Sequence, residues 1–464
     1  MTLNPIDATL CALRAGLPFV WPNPQHQPAA DALAASAYGL AEVDAARARW
    51  QRFAPLLARC FPDSVAADGR IDSPLLTQTD ADGQPLWVKA DHALPITACI
   101  KARGGVYEVL CHAEQLALAH GLLHAGDSYA VLADAPVRAL FAQHRVLVGS
   151  TGNLGYSVGV MARALGLQVD VHMSHDAKAW KKERLRALGA TVVEHAGDYA
   201  QAVAAARAVA QHEARCYFVD DEASMLLFMG YAAAAWDLKA QLDAAGIVPS
   251  TTQPLRVYLP CGVGGAPGGV TFGLKLLWGD AVQCVFVEPV ASPCFLLRLA
   301  TGNSELSVYD IGQNNATVAD GLAVPRASEM VAQLVAPLVD AVVTVSDAAL
   351  LAEVRRQWHT HGLRLEPSAA AGFVAHTMER PALGACRAWS VESENRPQRG
   401  QFLPDLQAHS PAMGQKDGEK WTAAVDLQPT ISKSDRLLGR NTVAVVWTTG
   451  GNGLPDAVFL PLVS

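Results

Sequence analysis

From Arg145 onward, short apolar runs alternate with amphipathic stretches, and this alternation restricts the chain to an α/β fold built on parallel strands. Val146-Leu147-Val148 is a compact apolar run, followed by the turn residues Gly149-Ser150-Thr151-Gly152-Asn153. Leu154 to Leu165 then places Leu154, Val158, Met161 and Leu165 on one helical face. A strand over Val169 to Met173 and a charged amphipathic helix over Asp176 to Leu188, stopped by Gly189, continue the series, and a strand over Thr191 to Val193 closes it. The pattern returns at Leu255 to Leu259, a strand that leads into a glycine-rich loop from Cys261 to Gly269. A helix over Val270 to Trp278 and a strand over Val282 to Val287 follow. Two such sets predict two open, twisted α/β domains with a cleft between them. The smaller spans 146–218, and the larger combines 1–145 with 219–464. Within the larger, 376–441 is polar, proline-containing and weakly periodic, which reads as an inserted excursion before a last strand at Thr442 to Trp447.

At 464 residues and 51% hydrophobic, the chain can bury a large core. The net charge of −8 offers nothing to a polyanion, so no nucleic-acid partner is expected. The densest basic run, Lys181-Lys182-Glu183-Arg184-Leu185-Arg186, reads as a solvated helix face. No apolar run approaches the ~20 residues that a membrane helix needs. Met1 to Pro22 lacks a basic segment followed by a clean apolar stretch, so no signal peptide is expected. Nine cysteines without Cys-x-x-Cys spacing point to reduced thiols and a cytoplasmic location. His359-Thr360-His361 has no third metal ligand nearby in sequence.

Three segments carry chemistry. In Pro95-Ile96-Thr97-Ala98-Cys99-Ile100-Lys101-Ala102-Arg103-Gly104-Gly105, a lysine opens a helix directly after an apolar stretch. Such a lysine either snorkels from a helix end or is a desolvated, nucleophilic amine. Cys261 to Gly269 holds five glycines between a strand and a helix, an arrangement that converges backbone N–H groups on an anion such as phosphate. The other reading of those glycines is close packing. The segment is neither a dinucleotide fingerprint, because Pro267 occupies the third glycine position, nor a Walker loop, because Lys275 lies too far along. Ser150-Thr151-Gly152-Asn153 is a strand-to-helix turn that either binds a carboxylate or serves as an ordinary cap.

Together these segments closely resemble the D-serine dehydratase family, in the ammonia-lyase branch of the fold-type-II pyridoxal phosphate enzymes (the tryptophan-synthase-β-like group). Phe218-Val219-Asp220-Asp221-Glu222, Glu288-Pro289 with Ser292-Pro293-Cys294, Ala319 to Val324, and Leu365-Glu366-Pro367-Ser368-Ala369 extend the resemblance in order. It resumes at Trp447-Thr448-Thr449-Gly450-Gly451. The resemblance implies that Lys101 carries pyridoxal 5′-phosphate as a Schiff base and later moves the α-proton of a small amino-acid substrate. It places Asn153 beside the cofactor's 3′-oxygen, the amides of Gly262, Val263, Gly264 and Gly265 on its phosphate, and Thr449 on its pyridine nitrogen. A neutral hydroxyl at that nitrogen makes the ring a weaker electron sink and favours prompt β-elimination. Ser150, Thr151, Gly152 and Asn153 would hold the substrate carboxylate, with Thr151 a supporting donor in catalysis. A monovalent or divalent cation near Glu288 and Ser292, and a monomeric state, are further implications.

The same resemblance exposes departures. Ala266 stands where another glycine is usual, Thr97-Ala98-Cys99 replaces smaller residues, and Ala223-Ser224-Met225 replaces a more polar run. Asn452-Gly453 likewise differs from the usual third glycine and apolar residue. These changes leave the expected reaction intact but bear on the substrate, which is D-serine or, alternatively, threonine or another small hydroxy amino acid; serine racemisation is a further alternative. A serine hydrolase built on Gly155-Tyr156-Ser157-Val158-Gly159 is the distant rival, since Ser157 lies one turn into the helix and not on the turn itself.

Overall fold

The computed structural model describes residues 5–80, 83–150, 152–380, 389–390, 428–429 and 442–464. Its strands, in chain order, are β1 (Val20–Pro22), β2 (Leu75–Thr79), β3 (Pro85–Lys89), β4 (Arg145–Gly149), β5 (Gln168–Ser174), β6 (Thr191–His195) and β7 (Cys216–Val219). They continue with β8 (Leu255–Pro260), β9 (Val282–Pro289), β10 (Ala341–Val345), a short ribbon of β11 (Trp389–Ser390) with β12 (Gln428–Pro429), and β13 (Val443–Trp447). Two main sheets result. One has seven strands in the order β1-β10-β9-β8-β13-β3-β2, and the other has four in the order β6-β5-β4-β7.

In the larger sheet β10, β9, β8, β13 and β3 run parallel, and antiparallel β1 and β2 close its edges. Every residue of β8 and β10 is buried, as expected for parallel strands covered by helices on both faces. Edge strand β2 has no fully buried residue, and its Leu-Leu-Thr-Gln-Thr sequence carries little strand signal. The smaller sheet is entirely parallel and contains all the strands between 145 and 219. Among the described residues, no helix is long and apolar enough to cross a membrane.

Three local expectations need correction. The helix after β8 begins at Gly265 and not at Val270, so the segment from Gly265 to Gly269, expected as loop, is already helical. Pro267 sits in its first turn, where a missing N–H removes no helical hydrogen bond. The expected irregular excursion does not begin at His376, because the Pro367–Glu379 helix runs through it with His376 buried. Apart from the β11–β12 ribbon, 381–441 lies outside the described residues. Finally, the basic run is a solvated face only in part, since Glu183 and Arg186 are exposed but its two lysines are not. Lys181 and Lys182 are buried, with Lys181 paired to Asp320 and Lys182 to Glu194.

Candidate active site

Ligands of open parallel sheets bind beyond the carboxyl ends of the strands, and the chain places its chemistry there. Residues that follow β3, β4, β7, β8 and β13 converge on one solvent-open cavity. Lys101, Ser150, Asn153, Gly262, Val263, Gly264, Gly265 and Thr449 all line it, so eight residues singled out from the sequence meet in one place.

Lys101 opens the Lys101–Ala119 helix. Two residues on, the buried Arg103 donates to both oxygens of Asp91, which also accepts from Ser73 Oγ and from the Trp447 indole N–H. Burial pushes the Asp91 carboxyl up, but the Arg103 guanidinium outweighs it and holds the group below the usual carboxylate range. This hub ties the end of β3, the start of the helix and the end of β13 together. The Ile100 amide donates to the Thr449 carbonyl at 2.7 Å, and Cys99 bridges to Gly450. Lys101 and Thr449 are thereby set side by side. The approach to the lysine is strained, since Ile96 has φ +76° and Ala98 φ +53°. Such left-handed residues cost on the order of 1–3 kcal/mol each and cluster at functional sites. Ala98 is one of the residues that replaces a smaller one before the lysine.

The amine itself is neither snorkelling nor isolated in apolar surroundings. Lys101 Nζ lies 3.1 and 3.3 Å from the two carboxylate oxygens of Asp221 and 5.9 Å from the centre of the Tyr231 ring. The side chain is 17% exposed, and Asp221 follows β7 of the other sheet. In the sequence Asp221 lies within a stretch that extends the family resemblance, with no role attached to it.

The glycines after β8 divide into two groups. Gly264 caps the helix with φ +106°, and a Cβ there would stand 2.5 Å from the Phe295 ring. Gly262, Gly264 and Gly265 put the first amides of the Gly265–Trp278 helix at the cavity, where the N–H groups of a helix start lack intrahelical partners. Gly269 and Gly273 serve packing instead, since a Cβ on them would meet the backbone oxygens of Phe228 and Ala232 at 2.5 and 2.3 Å. The anion and packing readings thus apply to different glycines of one segment.

At the turn after β4, Ser150 Oγ accepts the amides of Gly152 and Gly155 at 2.9 Å. Gly152 has φ +139°, and a Cβ on it would collide with the Lys181 side chain at 2.4 Å. Asn153 Nδ2 donates to both oxygens of the fully buried Glu366. Burial raises the Glu366 carboxyl, against the pull of nearby Lys181. Thr151 lies outside the described residues. Two hydroxyls at the cavity, Thr449 Oγ1 and Ser368 Oγ, are buried without a hydrogen-bond partner among the described residues. A buried orphan hydroxyl is costly unless something fills its valence.

Glu288 and Ser292 stand apart from this cavity's lining. Glu288 Oε1 and Oε2 accept the amides of Phe295 and Leu296 at 2.7 and 2.8 Å, so the carboxylate caps the Cys294–Thr301 helix. Burial pushes its pKa up to about 8 despite those bonds. Ser292 Oγ contacts Asn315 Oδ1 and the carbonyls of Leu322 and Val324. Among the described residues, no group of three or more His, Cys, Asp or Glu side chains is placed to hold a metal. Ser157 is buried inside the Asn153–Leu165 helix, its hydroxyl donating to the Asn153 carbonyl, which is no nucleophile elbow.

Comparisons with known proteins agree with this geometry. Residues 68–390 match the sequence model of a family described as "Pyridoxal-phosphate dependent enzyme". A Chromobacterium violaceum protein named "Probable D-serine dehydratase" is 53% identical over 365 residues, covering 76% of this chain and 81% of that one. An Acidovorax protein of the same name is 45% identical, covering 98% of this chain and 95% of its own. Diaminopropionate ammonia lyase from Escherichia coli, solved in complex with D-serine, superposes with a TM-score of 0.65 at 16% identity over 96% of both chains. The processed form of threonine deaminase isoform 2 from Solanum lycopersicum gives 0.58 at 16% identity, over 97% of this chain and 93% of that one. The two structural likenesses establish a shared fold. With the family match spanning most of the chain and its lysine, glycine turn and threonine gathered in one cavity, the protein belongs to the pyridoxal-phosphate dependent enzymes.

Proposed function

We propose that this chain removes water from D-serine by β-elimination, releasing pyruvate and ammonia, with pyridoxal phosphate held on Lys101. The observation that carries the reading is the convergence of Lys101, the Gly262–Gly265 amides and the partnerless Thr449 hydroxyl on one cavity. The residues fit the cofactor: an amine for its aldehyde, helix-start amides for its phosphate, and an orphan hydroxyl for its ring nitrogen. Relatives at 45–53% identity named for D-serine support the substrate.

When bound, pyridoxal phosphate supplies the electron sink that acidifies the α-C–H bond of an amino acid. The chain's own residues supply the rest. Gly262, Val263, Gly264 and Gly265 hold the phosphate, Thr449 Oγ1 meets the pyridine nitrogen, and Asn153 sits beside the 3′-oxygen. The Ser150–Asn153 turn holds the substrate carboxylate. Lys101 Nζ takes the proton from the substrate Cα, with Thr151 as a supporting donor. Asp221 orients the Lys101 amine between those duties. A cation beside Glu288 and Ser292 would compete with the Phe295 and Leu296 amides for the carboxylate. Activity in cation-depleted buffer tests whether one is used. We place the enzyme in the cytoplasm as a monomer; the free state of all eight described cysteines supports the compartment.

The test is pyruvate formation by the protein reconstituted with pyridoxal phosphate. D-serine should yield pyruvate and L-serine none. A reconstituted protein that makes no pyruvate from D-serine, or makes it equally from L-serine, would overturn the assignment.

A further inference from the structure

Beyond Cys99, Asn153 and Glu366 the cleft continues into a second, smaller and solvent-open recess, and these three residues line both. Its wall is shared by Arg184, from the Ala179–Ala187 helix, and the Gly450–Leu454 turn that follows β13. The Arg184 guanidinium carbon lies 3.4 Å from the centre of the Tyr156 ring. On the other side a Cβ at Gly453 would stand 3.0 Å from both terminal nitrogens. The Tyr156 ring therefore covers the fork on one side, and Gly453 stands at the edge formed by its two terminal nitrogens.

Among the described residues Arg184 has no carboxylate or carbonyl partner, whereas Arg103, Arg207 and Arg298 each pair with an acid. Trp180 lines the same cavity, and its indole N–H is buried without a partner among the described residues. The acid on this wall, Glu366, turns both oxygens to Asn153. A guanidinium oriented on an aromatic ring and without an acid partner suits a carboxylate, which can approach it along the Nε–H edge that Gly453 leaves uncovered.

We propose that this annex binds the second carboxylate of a dicarboxylic amino acid whose α-amino and α-carboxylate groups occupy the catalytic cavity. The inference rests on the proposed function for where those α-groups lie. D-serine has one carboxylate and does not engage Arg184. Dicarboxylic D-amino acids are therefore ligands that compete with it.

The test uses the holoenzyme with D-aspartate and D-glutamate, read by competition against D-serine turnover and, independently of turnover, by thermal shift. At least one of them should compete and raise Tm. Arg184→Gln should weaken that binding tenfold or more and abolish the shift, with kcat and KM for D-serine unchanged, and Arg184→Lys should retain part of the binding. Arg184 has no ion pair to lose, so both variants are expected to fold. Absence of binding to the wild type, or equal binding to Arg184→Gln, would overturn the proposal. So would a tenfold rise in D-serine KM in Arg184→Gln, which would put the guanidinium on the α-carboxylate. A wild type inactive on D-serine that still shows an Arg184-dependent shift would sink the elimination reading and leave the annex standing.

Discussion

Nζ of Lys101 lies 3.1 Å from Oδ2 of Asp221, an ion pair that joins the helix entered from β3 of the larger sheet to the segment leaving β7 of the smaller one. The pair gives the amine a fixed direction in the cavity. Asp221→Asn keeps the shape and removes the charge. Replacing a charge-assisted bond by a neutral one forfeits on the order of 1–2 kcal/mol, roughly a tenfold effect. We expect kcat to fall about that much, with KM changed far less. Steady-state kinetics beside a melting curve separates this from a structural role, which would lower Tm and leave the kinetics of the folded fraction intact.

Thr449 offers a prediction with opposite signs for two measurements. Its hydroxyl is buried without a partner among the described residues, so Thr449→Val removes an unsatisfied group and should leave the cofactor-free protein equally or more stable. The same change deletes the proposed bond to the pyridine nitrogen. Affinity for pyridoxal phosphate should fall roughly five- to tenfold, the worth of one hydrogen bond. Spectroscopic titration of the cofactor and melting of the cofactor-free protein read the two effects.

Gly264→Ala tests the glycine turn. Its φ of +106° is strained for any L side chain, and the new Cβ would press 2.5 Å from the Phe295 ring. Strain and overpacking together should cost about 2–4 kcal/mol. The displaced turn should also lose phosphate. Gly279→Ala is the control, because it too has a positive φ but no atom within 4 Å of the added Cβ. It should lower Tm less and leave cofactor affinity unchanged.

Glu288 makes stability depend on pH. Burial lifts its pKa to about 8, well above the ordinary glutamate range. In the window between that range and 8, the folded state holds a proton that the unfolded state has released. Its contribution is full below the unfolded pKa and is lost as pH rises through 8, at about 1.4 kcal/mol per pH unit at most. Glu288→Gln cannot titrate, although it leaves one of the Phe295 and Leu296 amides without an acceptor. The variant should therefore melt below the wild type at pH 5, with the gap shrinking toward pH 8. A gap that is constant across this range would contradict the shift.

Much of this was legible in the sequence, for identifiable reasons. β4, β8 and β9 are apolar-rich runs and β5 alternates apolar with polar residues, and these patterns survive in the fold. β2 was invisible because an exposed edge strand needs no apolar face. The helix start at Gly265 was hidden because glycine and proline read as loop, although here they stand in a first turn. Lys101, Gly262 to Gly265, Ser150, Asn153 and Thr449 were found through motifs and meet in one cavity. Asp221 and Glu366 gained their roles only in three dimensions, since they act on partners 120 and 213 residues away. The basic run misled because charge alone does not reveal that Asp320 waits to pair with Lys181 inside the structure.

The most direct test of the account fixes the cofactor chemically in place. The protein is loaded with pyridoxal phosphate, reduced with borohydride, digested and mapped by mass spectrometry. Lys101 should carry the phosphopyridoxyl group stoichiometrically, and Lys101→Ala should carry none. Stoichiometric labelling of another lysine, or no label on a protein loaded with the cofactor, would contradict the site proposed for this chain.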